Sequence, residues 1–551
     1  MSRTKSYFLI GLFLLPLLFI LLLVTLSFTV KASDVEQSLT KQIESLTGNR
    51  LTFEHLEYRA LPWPSAVLKG VRWADGKESA RLLTAERVRV RFHVFPLIFG
   101  KTVAQTLRVQ KGMLVYPMPA GFPVGTVQID DLDLRMNDFL PDKNIELDFR
   151  GSLYGASKTV EGKIHFVLDA ADGFDVFPPA FSVAVKFERF PLDALGKHLR
   201  TDFQFRPQSG GLSGKISVNK AKDSDTLGVR ADLKTDQLVY RLSADPNAFA
   251  SQPIQADLRN ETDWNTRTGE VSIKKSTLTG PVGRFEVSGR FNSDSGEMQN
   301  MRVGISGFSL ESLPNYILNA KDAIPFNLGF SGQSDIEMAL SGTWDHLLFH
   351  GNWDLTSTLL TYGSYFSKSK DVPLNFAFDF LVKEWKILSG DFSSKLENVK
   401  VKGTIKGIDF QSGKAQINII TNKFQINGWD RLLPPLRDYA MEGTVKLLAN
   451  FAGNLKKAGE VQPTVNATIE NVKLIHRQKG TGVQNASALV DYGSIALKLR
   501  QVHFEIKNAP IELSAIVYNQ TGIPIVKGKV TSPQFADRKS TRLNSSHEWI
   551  S

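Results

Sequence analysis

The chain contains no cysteine. That excludes disulfides, thiolate zinc sites, iron–sulfur clusters and cysteine nucleophiles together. Histidine is sparse, with 9 residues scattered over 551. His346 and His350 have the i, i+4 spacing of two metal ligands on one helix face. Leu347, Phe349, Trp353 and Leu355 alternate around them, which predicts a strand. Strand positions four apart lie about 13 Å from each other, too far to hold one ion. The sequence also lacks a Walker loop, a G-x-G-x-x-G turn after a strand and a G-x-S-x-G elbow. Carboxylates are plentiful, as on any polar sheet face, and form no catalytic pattern. The expectation is a protein without catalytic residues, metal or cofactor. Tyrosine (11) and tryptophan (8) are few beside 36 phenylalanines. Phenylalanine has no polar handle, so the surplus calls for burial or lipid and not for a wet interface.

The formal net charge is +10. Lys and Arg are interleaved with apolar strand positions, as in Arg87-Val88-Arg89-Val90-Arg91. This reads as a solvated strand face; no nucleic-acid motif accompanies it. One long apolar run is present, residues 7–30, and it carries no charge. It exceeds the roughly 20 residues needed to cross a bilayer. Arg3 and Lys5 precede it, so the positive-inside rule keeps the N-terminus cytoplasmic and exports the body. A cleaved signal peptide ending at Val30-Lys31-Ala32 is the rival reading, but its apolar core would span only about 7–15 residues. Both readings place everything after Ala32 outside the cytoplasm.

Ser33-Asp34-Val35-Glu36 has capping-box spacing, and Val35, Leu39, Ile43 and Leu46 recur at helical intervals before Gly48. A short amphipathic helix, packing on the first strands, is expected there. Beyond it the pattern is period-2 alternation broken by Gly, Asn, Asp and Pro. Examples are Ile164, Phe166 and Leu168; Val183, Val185 and Phe187; Met301, Val303 and Ile305; and Ile336, Met338 and Leu340. Leu374, Phe376, Phe378 and Phe380 make one apolar face, continued by Ile417 and Ile419, then by Val445 and Leu447. Ile495, Leu497 and Leu499, Phe504 and Ile506, and Ile511, Leu513, Ala515 and Val517 close the series. One apolar and one polar face per strand predicts antiparallel sheet wetted on one side.

The body also repeats. A strand ending in Phe is followed by a Leu/Pro cluster at Phe190-Pro191-Leu192, at Phe308 with Leu313-Pro314, and at Phe424 with Leu432-Leu433-Pro434. From 190 to 308 and from 308 to 424 the intervals are 118 and 116 residues. The same register makes Phe535 a fourth closing residue. After Ala536 the alternation stops, and Asp537-Arg538-Lys539-Ser540-Thr541-Arg542-Leu543-Asn544-Ser545-Ser546-His547 resembles the translation of a sequencing-adapter oligonucleotide. Residues 537–551 are therefore expected to be foreign, and the native chain to continue past Phe535.

A membrane segment, a short helix and Gly48-Asn49-Arg50-Leu51-Thr52-Phe53 are followed by Leu61-Pro62-Trp63-Pro64-Ser65-Ala66-Val67-Leu68-Lys69-Gly70-Val71. Then come Leu83-Thr84-Ala85-Glu86-Arg87-Val88-Arg89-Val90-Arg91 and Phe95-Pro96-Leu97-Ile98-Phe99-Gly100-Lys101. This order, over about the first quarter of the chain, resembles the N-terminal region of the AsmA-like family of Gram-negative envelope proteins. The resemblance implies an inner-membrane anchor carrying a periplasmic β-groove that conducts phospholipid towards the outer membrane, with a partner at the distal end.

The expected organisation is a cytoplasmic stub and anchor (1–31), an α+β region (32–150), four β units (151–200, 201–316, 317–434 and 435–536) and the foreign tail (537–551). The expected fold is mainly β, a long antiparallel repeated sheet curved into a groove, with stacked β-sandwiches as the alternative. Candidate groove residues are Phe376, Phe378, Phe380, Ile417, Ile419, Val445, Leu447, Phe504, Ile506 and Leu513. Burying apolar surface releases about 25 cal/mol per Å² against lipid or against a second sheet. Energy alone thus leaves a lipid conduit and a ligand-free assembly scaffold both open.

Overall fold

A computed structural model describes residues 33, 35–37, 40–41 and most of 51–532, together with the backbone of 546–550. Inside 51–532 the exceptions are 60–62, 75–81, 95, 97–102, 119–122, 138–143, 168–179, 201–202, 204, 243–248, 317–326, 344, 385, 410–411, 455–456, 458–459 and 519–524. The expected membrane segment 7–30, Leu168 and Phe535 lie outside the described residues, as do 537–545 of the tail. Among the described residues no helix is long and apolar enough to cross a membrane.

The chain is mainly β and forms two compact units, Met1–Gly280 and Pro281–Ser551. In the first, Leu51–Thr52 and His55–Arg59 both pair with Ser65–Ala74. Leu82–Phe92, Ala104–Pro117, Thr126–Asn137, Asn144–Leu153, Ala156–Val167 and Phe181–Pro191 follow, each antiparallel to the strand before it. Arg206–Lys220, Thr226–Arg241, Ile254–Asn265 and Glu270–Gly280 extend the series. The core of this unit gathers Val35, Ala66, Leu68, Val88, Val90 and Phe92. Val35 is fully buried in this core, and the described positions between 33 and 41 are helical; Leu39, Ile43 and Leu46 of the expected helix lie outside the described residues.

In the second unit the order is Gly283–Asn292, Met298–Phe308, Ser334–Thr343, His346–Asp354, Leu374–Lys383, Lys386–Leu396, Val399–Asp409 and Lys414–Thr421. It continues through Tyr439–Asn454, Val461–His476, Gly482–Tyr492, Ala496–Ile506, Ala509–Tyr518, Ile525–Thr531 and the tail strand Ser546–Ile550. A separate small sheet joins Leu328–Gly332, Thr358–Tyr362 and Phe366–Lys368.

Turn chemistry explains the reversals. Asn265 Oδ1 accepts the amides of Arg267 and Thr268, and Asn292 Oδ1 accepts those of Asp294 and Ser295. Each turn then ends on a glycine with positive φ, Gly269 at 70° and Gly296 at 69°. The Phe-to-Leu/Pro cluster recurs as structure. Phe181–Pro191 runs into the helix Leu192–His198, Met298–Phe308 precedes the 3-10 turn Leu313–Asn315, and Phe424–Gln425 precedes the turns Trp429–Arg431 and Pro434–Leu436.

Candidate functional site

In an antiparallel ladder, register partners point to the same face. Following partners across the second unit therefore traces one face from strand to strand. Ile336 opposes Trp353, which opposes Phe376. Phe378 opposes Gly351 and Phe392, and Phe392 opposes Gly403. Gly403 opposes Ile419, and Ile419 opposes Ala449. Ala449 opposes Val465, Val465 opposes Tyr492, Tyr492 opposes Leu497, and Leu497 opposes Val517. The alternation read strand by strand is thus one continuous apolar stripe. On the other face lie His350, Asp379, Asp391, Thr404, Asn418 and Asn450, also register partners in sequence. His350 Nδ1 pairs with Asp379, and among the described residues no cluster of three metal-ligating groups exists. His346 and His350 stand on the strand His346–Asp354, as their surroundings predicted.

The aromatic rings do not stand away from the sheet. A β-carbon added to Gly351 would meet Phe378 Cζ at 2.5 Å, one on Gly390 would meet Phe380 Cδ1 at 2.4 Å, and one on Gly403 would meet Phe392 Cζ at 2.1 Å. Each ring lies over the glycine that is its register partner, which also protects that glycine's backbone. Neighbouring rings then touch. Phe376 and Phe392 centroids are 5.3 Å apart and those of Phe378 and Phe380 are 5.1 Å apart. The result is a smooth aromatic pavement. In a two-layer sandwich the side chains of facing sheets interdigitate instead.

The ten predicted groove residues divide by exposure. Phe378 is buried at 9% and Ile506 is exposed at 41%, while the other eight are half-buried. Phe376, Phe378, Phe380, Ile417 and Ile419 lie together on the stripe, with Ile417 opposed by Ile405 and Phe451. Phe504 opposes Ile511, Ile506 opposes Ala509, and Leu513 opposes Val502 and Val530. Val445 and Leu447 are placed differently. They pack on a closed cluster of Val399, Phe424, Ile426 and Met441, covered by Trp429, Leu433 and Leu436 of the turn segment. Reading strands singly missed Phe392, Ile405 and the three glycines. Phe392 stands alone in Asp391-Phe392-Ser393, and its membership of the stripe needs the pairing register.

Concavities lie on the polar faces. In the second unit one of about 470 Å³ is lined by Asp379, Asp391, Lys402 and Asn418 together with Ile420 and Leu448, and it also touches Phe392 and Ile419 of the stripe. In the first unit one of about 730 Å³ is lined by eight cationic and three acidic side chains. No family model, curated protein or solved structure matches the chain.

Proposed function

We propose that this is a non-enzymatic envelope protein, anchored in the inner membrane by residues 7–30 with its body in the periplasm. Its apolar sheet face binds phospholipid acyl chains and conducts phospholipid towards the outer membrane, supporting outer-membrane integrity. One observation carries the reading: the stripe from Ile336 to Val517 is continuous across strands yet largely half-open, with its phenylalanine rings laid flat on glycines. Acyl chains need a long, unbroken, featureless apolar surface and no catalytic group. Each Å² they cover releases about 25 cal/mol. The resemblance of the N-terminal region to the AsmA-like family supports the same reading.

The test is lipid retention. Purified full-length chain should carry phospholipid detectable by mass spectrometry. Ile419→Asp and Phe380→Asp should lower the retained amount several-fold, and Asn418→Asp should leave it unchanged. A lipid-free wild type, or equal retention in all variants, would overturn the proposal.

The closed cluster around Val399, Phe424, Ile426 and Met441 favours a second reading. There the stripe already has protein partners, as in a structural or assembly scaffold. In that case the rest of the face meets an outer-membrane or periplasmic partner protein, and the purified chain holds no lipid.

A further inference from the structure

The alternation Arg87-Val88-Arg89-Val90-Arg91 sets three arginines on one face of Leu82–Phe92. The pairing register gives them neighbours that a lone strand does not reveal. Arg89 opposes Arg108, and Arg108 opposes Arg135, so three guanidinium groups occupy one rung across three adjacent strands. Like charges directly opposite one another destabilise a sheet. Beyond Arg135 the same rung continues through Asp148 and Lys163, and there and on the neighbouring rung carboxylates resolve the conflict. Lys163 pairs with Asp148 at 3.4 Å, and Arg150 and Lys186 both pair with Glu161 at 3.0 Å. Arg135 opposes Asp148, but that carboxylate pairs with Lys163. Among the described residues Arg89, Arg91, Arg108 and Arg135 make no ion pair with a carboxylate; Arg135 Nε donates to Asn137 Oδ1 at 3.3 Å. All four are exposed and border the 730 Å³ concavity.

We propose that this arginine rung is a binding site for a phosphate-bearing anion. Adjacent strands are about 4.8 Å apart, so neighbouring guanidinium forks reach one small anion from several sides. A carboxylate is satisfied by one bidentate arginine, whereas a phosphate offers three or more acceptor oxygens and more than one negative charge. The concavity is on the charged face and in the other unit from the apolar stripe, so this proposal is independent of phospholipid conduction. The phosphate has two possible sources, a soluble phosphorylated compound or a lipid headgroup.

Isothermal titration of the detergent-solubilised full-length chain with pyrophosphate tests it. The expected result is saturable one-to-one binding that weakens as salt rises. Arg108→Gln should weaken it at least tenfold. Arg108→Lys should weaken it also, because the fork is lost while the charge stays. Lys527→Gln, on the other unit, should change it less than twofold. Arg108 is exposed, and its removal relieves the like-charge rung, so the anion-free Arg108→Gln chain should melt no lower than wild type. Absent binding, or the same loss from Lys527→Gln as from Arg108→Gln, would overturn the site. Titration with dihexanoyl phosphatidic acid and with glycerol 3-phosphate separates the sources. Equal affinities mean that the phosphate alone is read, and a tenfold preference for the former assigns a lipid headgroup.

Discussion

At the scale of single residues, the stripe depends on pairs of unequal size. Gly403 leaves the space that the Phe392 ring fills, and a β-carbon there would sit 2.1 Å from Cζ. Gly403→Ala should therefore lift the ring and cost about 1–3 kcal/mol, read as a lower denaturant midpoint. The same change at exposed Gly480, where nothing lies within 4 Å, would introduce no clash, although its φ of 60° strains any side chain. Lys368 is a different kind of residue. It is fully buried, and its Nζ donates to the carbonyls of Thr356 (3.0 Å), Thr358 (2.7 Å) and Ser369 (3.2 Å). Burial holds its pKa below the ordinary lysine range, opposed by Asp354 and Asp371. Lys368→Met should leave those carbonyls without a donor and cost roughly 1–3 kcal/mol. Neither residue was legible in the sequence. A glycine's ring and a lysine's carbonyls come from other strands, and alternation within one strand carries no information about them.

At the scale of elements, alternation did carry the strands. Every alternating set named from the sequence falls on a strand at its described positions, except that Ile495 lies just before Ala496–Ile506 and Leu355 just after His346–Asp354. Leu499 and Phe504 are five apart, which a regular strand would put on opposite faces. They share a face because the register shifts between Leu499 and Val502, where Gln501 takes φ of 51°. The closing turns were visible as Leu/Pro clusters but their contacts were not. Leu432, 1% exposed, accepts the Ser367 amide of the small sheet at 2.9 Å. Leu432→Ala should cost about 2–5 kcal/mol and speed hydrogen exchange at Ser367. In the first unit, hydrogen bonds from Lys186 and Arg150 hold the Glu161 carboxyl below the usual range. Folding then favours the ionised form, so this stabilisation is complete above about pH 4.3 and is lost as pH falls through the depressed value. Glu161→Gln should flatten that part of the acid-denaturation curve, with little change between pH 6 and 8.

At the scale of the molecule, each unit is a series of antiparallel strands with one apolar and one polar face. The second unit leaves much of its apolar face half-open. A scaffold would cover that face with protein, and a conduit would cover it with acyl chains. Photocrosslinkers placed in cells along neighbouring positions separate the two, because adjacent strand residues point to opposite faces. Probes at Phe378 and Ile419 should capture phospholipid, while those at Asp379 and Asn418 should not. Equal labelling at all four positions, or lipid at none of them, would contradict a conduit.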